Sequence, residues 1–313
     1  MLGAIDLGLI YGLMALGVYL TFRVLDFADL TVDGSFTTGA AVSAVLITAG
    51  TNPVLATVCG FVAGFLAGTV TGVLNTAGQI HPLLAGILTQ IALYSVNLRI
   101  MGKANLPLLR AETVFTPLRS AKLLGTWTSV AVLAVGLLVV VLALNWYLGT
   151  NSGLAMRATG DNEGMARAQG INTGAMKVLG LALSNGLVGL AGALVAQYQA
   201  YADISMGIGL IVAGLASVII GTALVGSPRV WVMTAAVVFG SILYRFIIQM
   251  ALEIPGFQPN DMKIISAVIV LAALLLPRMS LFSRLRARRR ERLIVEPDIT
   301  PGTEERDAHG VRL

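Results

Sequence analysis

The sequence predicts an all-α fold: a polytopic helical membrane protein of about nine transmembrane helices, one of them broken or re-entrant, with the N-terminus outside and the C-terminus cytoplasmic. Three observations point there. Hydrophobic residues make up 56% of the 313 and charged residues only 12%, against about 25% charged in a soluble domain. The apolar runs are long and do not alternate, which favours helices over an outer-membrane barrel. Thirty-five glycines suit helices that pack closely in lipid.

The runs fall at about 3–21, 34–50, 54–75, 82–101, 126–148, 178–200, 207–226, 230–250 and 262–277. The first has no basic stretch before it and no cleavage signal, so it reads as a retained span rather than a signal peptide. Arg278, Arg284, Arg286, Arg288, Arg289, Arg290 and Arg292 follow the last run and mark the C-terminal side as cytoplasmic. Counting back puts residues 22–33 and 149–177 inside and the N-terminus outside. Residues 102–125 conflict with this count, because they are assigned outside yet carry Lys103, Arg110, Arg119 and Lys122. A miscount near 34–75 is the simplest source of the conflict. The chain thus divides into a membrane domain, 1–280, and a basic, then disordered, cytoplasmic tail, 281–313. The net charge is +5, and the positive charge is concentrated at the start of that tail, which reads as a face beside anionic lipid, not a nucleic-acid surface.

Within the second run, 34–50 is short and opens with GSFTTG, the feature that suggests a broken or re-entrant helix. Just before it, Asp26, Asp29 and Asp33 recur every three to four residues, a spacing that puts all three on one side of a helical turn. Acids beside a membrane core mark a pathway or a contact. The alternative is structural, a capping and interface role with Asp33 as the N-cap of the following helix. Gly60, Gly64, Gly68 and Gly72 form a small-residue ladder, and Gly186, Gly189 and Gly192 another; both signify helix packing.

Gly153 to Gly174, GLAMRATGDNEGMARAQGINTG, is the longest polar interruption between apolar regions. Asp161 or Asn162 can cap a helix, Glu163 suits the positive end of its dipole, and Gly170 can close it in the left-handed conformation. The implied helix, Glu163 to Gln169, spans only ~10 Å, far less than a bilayer needs. Met165, Ala166 and Ala168 are small apolar knobs, and Arg157, Arg167 and Lys177 make the stretch basic. A short capped helix of this kind suits docking into a groove of a soluble partner; the alternative is an ordinary cytoplasmic loop.

No phosphate-cradling GxxxxGK[ST] loop, HExxH or GxSxG motif is present, so no catalytic residue is assigned. With the single Cys59 and the isolated His81 and His309, no disulfide framework or metal site is expected. Among the polar side chains in the runs, Ser35, Thr38, Thr89, Tyr94, Asn97, Ser184 and Asn185, together with Asp29 and Asp33, are the pathway candidates. Interhelical hydrogen bonding accounts for any one of them equally well. Arg245 is the most costly polar group, and its partner is Glu253 or an acid on another helix.

RATGDNEGMARAQGIN, with LGLALSNGLVGLAGAL and SMGIGLIVAGLASVIIGTALVG, resembles the permease subunits of bacterial ABC importers, in the branched-chain amino acid and ribose permease superfamily. LTFRVLDFADLTVDGSF and PLLAGILTQIALYSVNLRIMG narrow the resemblance to the branch labelled tryptophan/tyrosine or ABC-substrate permeases. It covers roughly residues 1–280, and it departs at Ala28, where that branch has proline. The resemblance implies that Arg157, Asp161, Asn162, Glu163, Ala166, Arg167 and Gly170 form a coupling helix seated in an ATPase cleft. It further implies two ATP-binding-cassette ATPase subunits that carry the ATP and magnesium, a second permease copy, and an extracytoplasmic binding protein delivering an amino acid or related solute. This chain itself needs no cofactor, and the location is the bacterial inner membrane. An ion-gradient-driven secondary transporter is the first alternative and calls for acids buried within spans. A membrane scaffold, which would purify without any nucleotide-binding subunit, is the second.

Overall fold

The computed structural model describes residues 2–225, 229–253 and 262–275. The arginine-rich stretch and the 281–313 tail, with the expectations attached to them, lie outside the described residues. Every apolar run forms a helix over its described part. In chain order these are α1 (Leu2–Tyr19), continued by a π turn Leu20–Val24, α2 (Thr31–Thr48), α3 (Pro53–Thr76), α4 (Pro82–Met101), α5 (Thr116–Ser120), α6 (Trp127–Gly149), α7 (Asn151–Asp161), α8 (Glu163–Ala168), α9 (Thr173–Gln199), α10 (Leu210–Val225), α11 (Val230–Leu252) and α12 (Met262–Leu275). Two short strands, β1 (Asn105–Pro107) and β2 (Tyr201–Asp203), pair antiparallel with Leu106 opposite Ala202.

Local chemistry sets many of the ends. Asn52 accepts the Val54 N–H at 2.9 Å with Pro53 in the first turn of α3. Pro82 opens α4 and Gly102, at φ +66°, closes it. Six helices among the described residues are long and apolar enough to cross a membrane: Leu2–Val24, α3, α4, α6, α9 and Val230–Ala251. By this measure six of the nine expected spans are found among the described residues. With 16 residues α10 is too short, and α2 carries Thr31, Asp33, Ser35, Thr37, Thr38 and Ser43 along its length.

The broken element is not where the sequence suggested. From Thr31 to Thr48 α2 is unbroken, and the interruptions are residues 25–30 before it and 204–209 before α10. Because 25–30 is not helical, Asp26, Asp29 and Asp33 do not share a face. Asp26 is exposed at φ +51°, while Asp29 and Asp33 are buried.

At the centre of the bundle is α9, packed by α1, α2 and α3. The α3 ladder lies against it: a Cβ on Gly60 would meet Ala193 Cβ at 2.8 Å, and one on Gly72 would meet Val178 Cα at 2.7 Å. These helices run antiparallel at backbone contact, an approach that only small residues allow. Side-chain bonds then pin α9 to its neighbours. Ser184 Oγ donates to the Gly17 carbonyl at 2.7 Å, and Gln197 Nε2 to Thr57 Oγ1 at 2.8 Å.

The elements sort onto two faces. Asp6, fully buried near the start of α1, accepts from Ser129 Oγ at 2.8 Å and Tyr198 OH at 3.3 Å. The beginnings of α1 and α6 and the end of α9 thus share one face with the β1–β2 pair. On the other face Gly160 of α7 packs on the backbone of Val24 and Leu25. The 102–125 segment belongs to the first face, where Arg119 donates to the Tyr198 carbonyl at 3.2 Å. Exposed Trp127 and Trp146 end α6, about 28 Å apart along the helix, the spacing of the two aromatic belts of a bilayer.

Candidate functional site

The polar stretch forms two helices where the sequence suggested one. It begins with α7, an extra element from Asn151 to Asp161 capped by Thr150, whose Oγ1 accepts from Gly153 N–H at 3.4 Å. Asp161 ends α7, and Asn162 caps α8 by accepting the Met165 N–H at 2.9 Å. At the other end Gly170, at φ +82°, sits where Ile171 N–H reaches the Ala166 carbonyl at 3.1 Å and Gly170 N–H the Arg167 carbonyl at 3.0 Å. That pair of bonds is a Schellman motif. Next, Asn172 caps α9 through the Ala175 N–H at 3.0 Å.

Glu163 ties α8 to α9. Its carboxylate accepts from Lys177 Nζ at 2.7 Å, Arg167 Nη2 at 2.9 Å and Thr173 Oγ1 at 3.3 Å. The Lys177 bond is the main reason its carboxyl titrates below the usual value; partial burial opposes it and Arg167 and Thr173 assist. The apolar knobs divide: Met165 is 64% exposed, Ala168 is exposed, and Ala166 is buried against the bundle. Arg157 and Asp161 lie on α7, apart from α8, where they line a cavity of about 790 Å³ with Tyr19, Arg23 and Asp26. This cavity, beside the π turn, had no signal in the local sequence pattern.

The pathway candidates separate into two groups. Six lie inside the bundle, and five of these are hydrogen-bonded there or on their own helix. Asp29 accepts from Thr31 N–H at 2.8 Å and from Asn185 Nδ2 at 2.6 Å. Ser184 bonds Gly17 as above. Thr38 and Thr89 each donate to the carbonyl one turn back, at 2.9 and 3.0 Å, and Ser35 is fully buried with its Oγ unpartnered. The other three, Asp33, Tyr94 and Asn97, converge on a cleft of about 450 Å³ between α2, α4 and the 204–209 turn. Gly34, Thr37, Gln90, Ile91, Ser95, Ile204 and Ile208 complete that wall and were not foreseen as site residues. Asp33 also caps α10, accepting Gly209 N–H and Ile211 N–H at 2.8 Å each. Asp33 is thus not the cap of the helix that follows it, because it lies inside the first turn of α2, where Leu30 is the N-cap; it caps α10 instead.

Arg245 is not paired with Glu253. Its guanidinium lies 3.6 Å over the Tyr11 ring, a cation–π contact, and its Nε has no hydrogen-bond partner. Among the described residues no group of three or more His, Cys, Asp or Glu could hold a metal ion.

Comparison with known proteins bears on the family and the fold. The family model described as branched-chain amino acid transport system / permease component matches residues 1–274. A tyrosine transport system permease protein of Clostridioides difficile (strain R20291) is 39% identical over 266 residues, covering 85% of this chain and 87% of that one. An uncharacterized protein of Rickettsia prowazekii (strain Madrid E) is 32% identical over 275 residues, covering 87% and 95%. A solved chain assigned to the metal-chelate type of ABC transporters, in an inward-facing conformation, shares the fold at a TM-score of 0.50 and 17% identity, covering 90% of this chain and 84% of that one. Such permeases are multi-pass membrane transport proteins, not enzymes, and work with ATPase and binding components. The chain belongs to the branched-chain amino acid transport system permease family, as a permease component of an ABC-type transporter.

Proposed function

We propose that this chain forms half of the translocation pathway of an ABC importer for an amino acid, with tyrosine and related aromatic amino acids the first to test. Two ATPase subunits, holding the ATP and magnesium, dock on the Arg157–Gly170 stretch at the cytoplasmic face. An extracytoplasmic binding protein meets the opposite face, around β1 and β2. The N-terminus is then outside, the tail after residue 280 cytoplasmic, and the membrane the bacterial inner membrane. The substrate follows the name of the 39% identical relative, a tyrosine transport system permease protein.

One observation carries the reading. A six-residue helix is capped at one end by Asn162, closed at the other by Gly170 and clamped to α9 by Glu163 and Lys177. It presents Met165 outward at 64% exposure. A push on α8 is therefore delivered to α9, which is bonded to α1 through Ser184 and Gly17 and to Asp29 through Asn185. Rigid-body rocking of this group is the motion that opens the pathway to one side at a time.

A second permease copy, most simply an identical one, is supported by the two least-covered spans. Between Ala131 and Trp146 all residues that α6 exposes are apolar or glycine, as lipid requires. By contrast, α4 exposes Tyr94 and Ser95, which line the cleft, a surface suited to a partner copy and a water-filled pathway. An ion-gradient carrier draws less support, since the buried acids Asp6, Asp29 and Asp33 each already accept two or more hydrogen bonds. The test is Arg167→Glu combined with Gly170→Leu in cells expressing the ATPase. Loss of ATPase co-purification and of ATP-driven uptake is expected; unchanged assembly and uptake would remove the assignment.

A further inference from the structure

We propose that the cleft between α2, α4 and the 204–209 turn is a solute subsite that reads the ammonium end of its ligand, through the Asp33 carboxylate and the Asn97 amide oxygen, and leaves the carboxylate end unread. This rests on the permease function proposed above and adds a selectivity rule to it.

The lining is asymmetric in chemistry. Asp33 supplies an anion whose two oxygens each accept one backbone N–H from the start of α10 at 2.8 Å. A carboxylate has about four acceptor sites, so about two stay open. Asn97 is 1% exposed. Its Nδ2 reaches the Gly34 carbonyl at 3.4 Å, while its Oδ1 has no hydrogen-bond partner among the described residues. A buried amide oxygen without a donor is costly, and it marks a place where a donor arrives. No Lys, Arg or His is among the described lining residues, so a bare anion entering here finds no fixed counter-charge.

An alkylammonium group matches this lining. It brings a positive charge to Asp33 and three N–H donors to share between Asp33 and Asn97. Tyr94, Ile91, Ile204 and Ile208 offer the apolar and aromatic surface for the rest of the molecule. At about 450 Å³ the cleft lies in the roughly 300–1,000 Å³ range of small-molecule sites. A solute that keeps its amine and loses its carboxylate is accepted on these terms. One that keeps the carboxylate and loses or acylates the amine is refused.

Selectivity at the binding protein hides this rule in an uptake assay, so the test labels the cleft directly. Ser95 is exposed and lines the cleft, and Cys59 is the sole native cysteine. Ser95→Cys in a Cys59→Ala background, in the full permease–ATPase complex, is labelled with a maleimide in the presence of four probes. L-Tyrosine and tyramine slow the labelling; N-acetyl-L-tyrosine and 3-(4-hydroxyphenyl)propionate do not. Asn97→Leu raises the tyramine concentration needed by about tenfold or more, the loss expected for a bond to a charged donor, and Asn97→Asp restores or deepens protection. Equal protection by the amine-free probes, or none by tyramine, overturns the proposal. Failure of the complex to contain an ATPase would count against the permease reading alone, because cleft labelling of the permease by itself still reports ammonium preference.

Discussion

Replacing Asn185 by alanine tests how the coupling helix reaches the pathway. Asn185 Nδ2 donates to Asp29 at 2.6 Å and to the Leu181 carbonyl at 3.0 Å, and Asp29 is 3% exposed. The bond joins α9 to the 25–30 segment, whose neighbouring residues Val24 and Leu25 carry Gly160 of α7. α7, α9 and this segment are thus held as one body. Deleting a bond to a buried carboxylate costs about 1.5–3 kcal/mol, with the remaining oxygen left short of a donor. At roughly 2–4 °C per kcal/mol for a chain of this size class, the melting temperature of the purified permease falls by about 3–12 °C. Thr48→Ala is the control, since its hydroxyl bonds one turn back at an exposed position and such changes stay within about 0.5 kcal/mol. Pairing Asn185→Ala with Asp29→Asn gives a coupling term, since the two residues share one bond. If Asn185→Ala melts with the Thr48→Ala control, or the two changes are additive, the staple does not hold the body together.

Three further outcomes follow. Glu163 has a folded pKa below its ordinary value of 4.5, so its contribution is complete above that pH and is lost as the pH falls through the lower folded value; protease nicking at 162–172 should rise only below pH 4.5, and Glu163→Gln should abolish that step. Gly170→Ala forces a side chain into the left-handed region in open space, costing about 1–2 kcal/mol and weakening ATPase retention in proportion; retention equal to the parent protein would argue against a role for the closed helix end. Arg245→Met removes the cation over Tyr11, a contact worth up to about 2 kcal/mol when desolvated, and should lower the melting temperature; a rise would mean the buried guanidinium costs more than the contact returns.

Helices were legible because an apolar run of membrane length has one low-energy backbone solution, and each run forms a helix within its described residues. Gly170 was legible for the same local reason: glycine is the residue that closes a helix in the left-handed region. What escaped was non-local or lacked an apolar signal. Thr150, Asn151 and the alternating polar residues up to Asp161 gave no long hydrophobic run, so α7 read as loop. Asp33 caps a helix that begins 177 residues later, a pairing that no window of sequence contains. The 3–4 spacing of Asp26, Asp29 and Asp33 misled because it presumes a helix, and the backbone leaves the helix at Leu25. Asp6, a lone acid in the first apolar run, did carry a signal, and Ser129 and Tyr198 are what it was waiting for.

Crosslinking from the two faces tests the central claim most directly. A photoreactive side chain is placed at Met165, 64% exposed on α8, and separately at Leu109, 78% exposed in the segment beside β1, in the assembled transporter. Met165 is expected to capture the ATPase subunit and Leu109 the extracytoplasmic binding protein. Capture of the binding protein from Met165, or of the ATPase from Leu109, would contradict it.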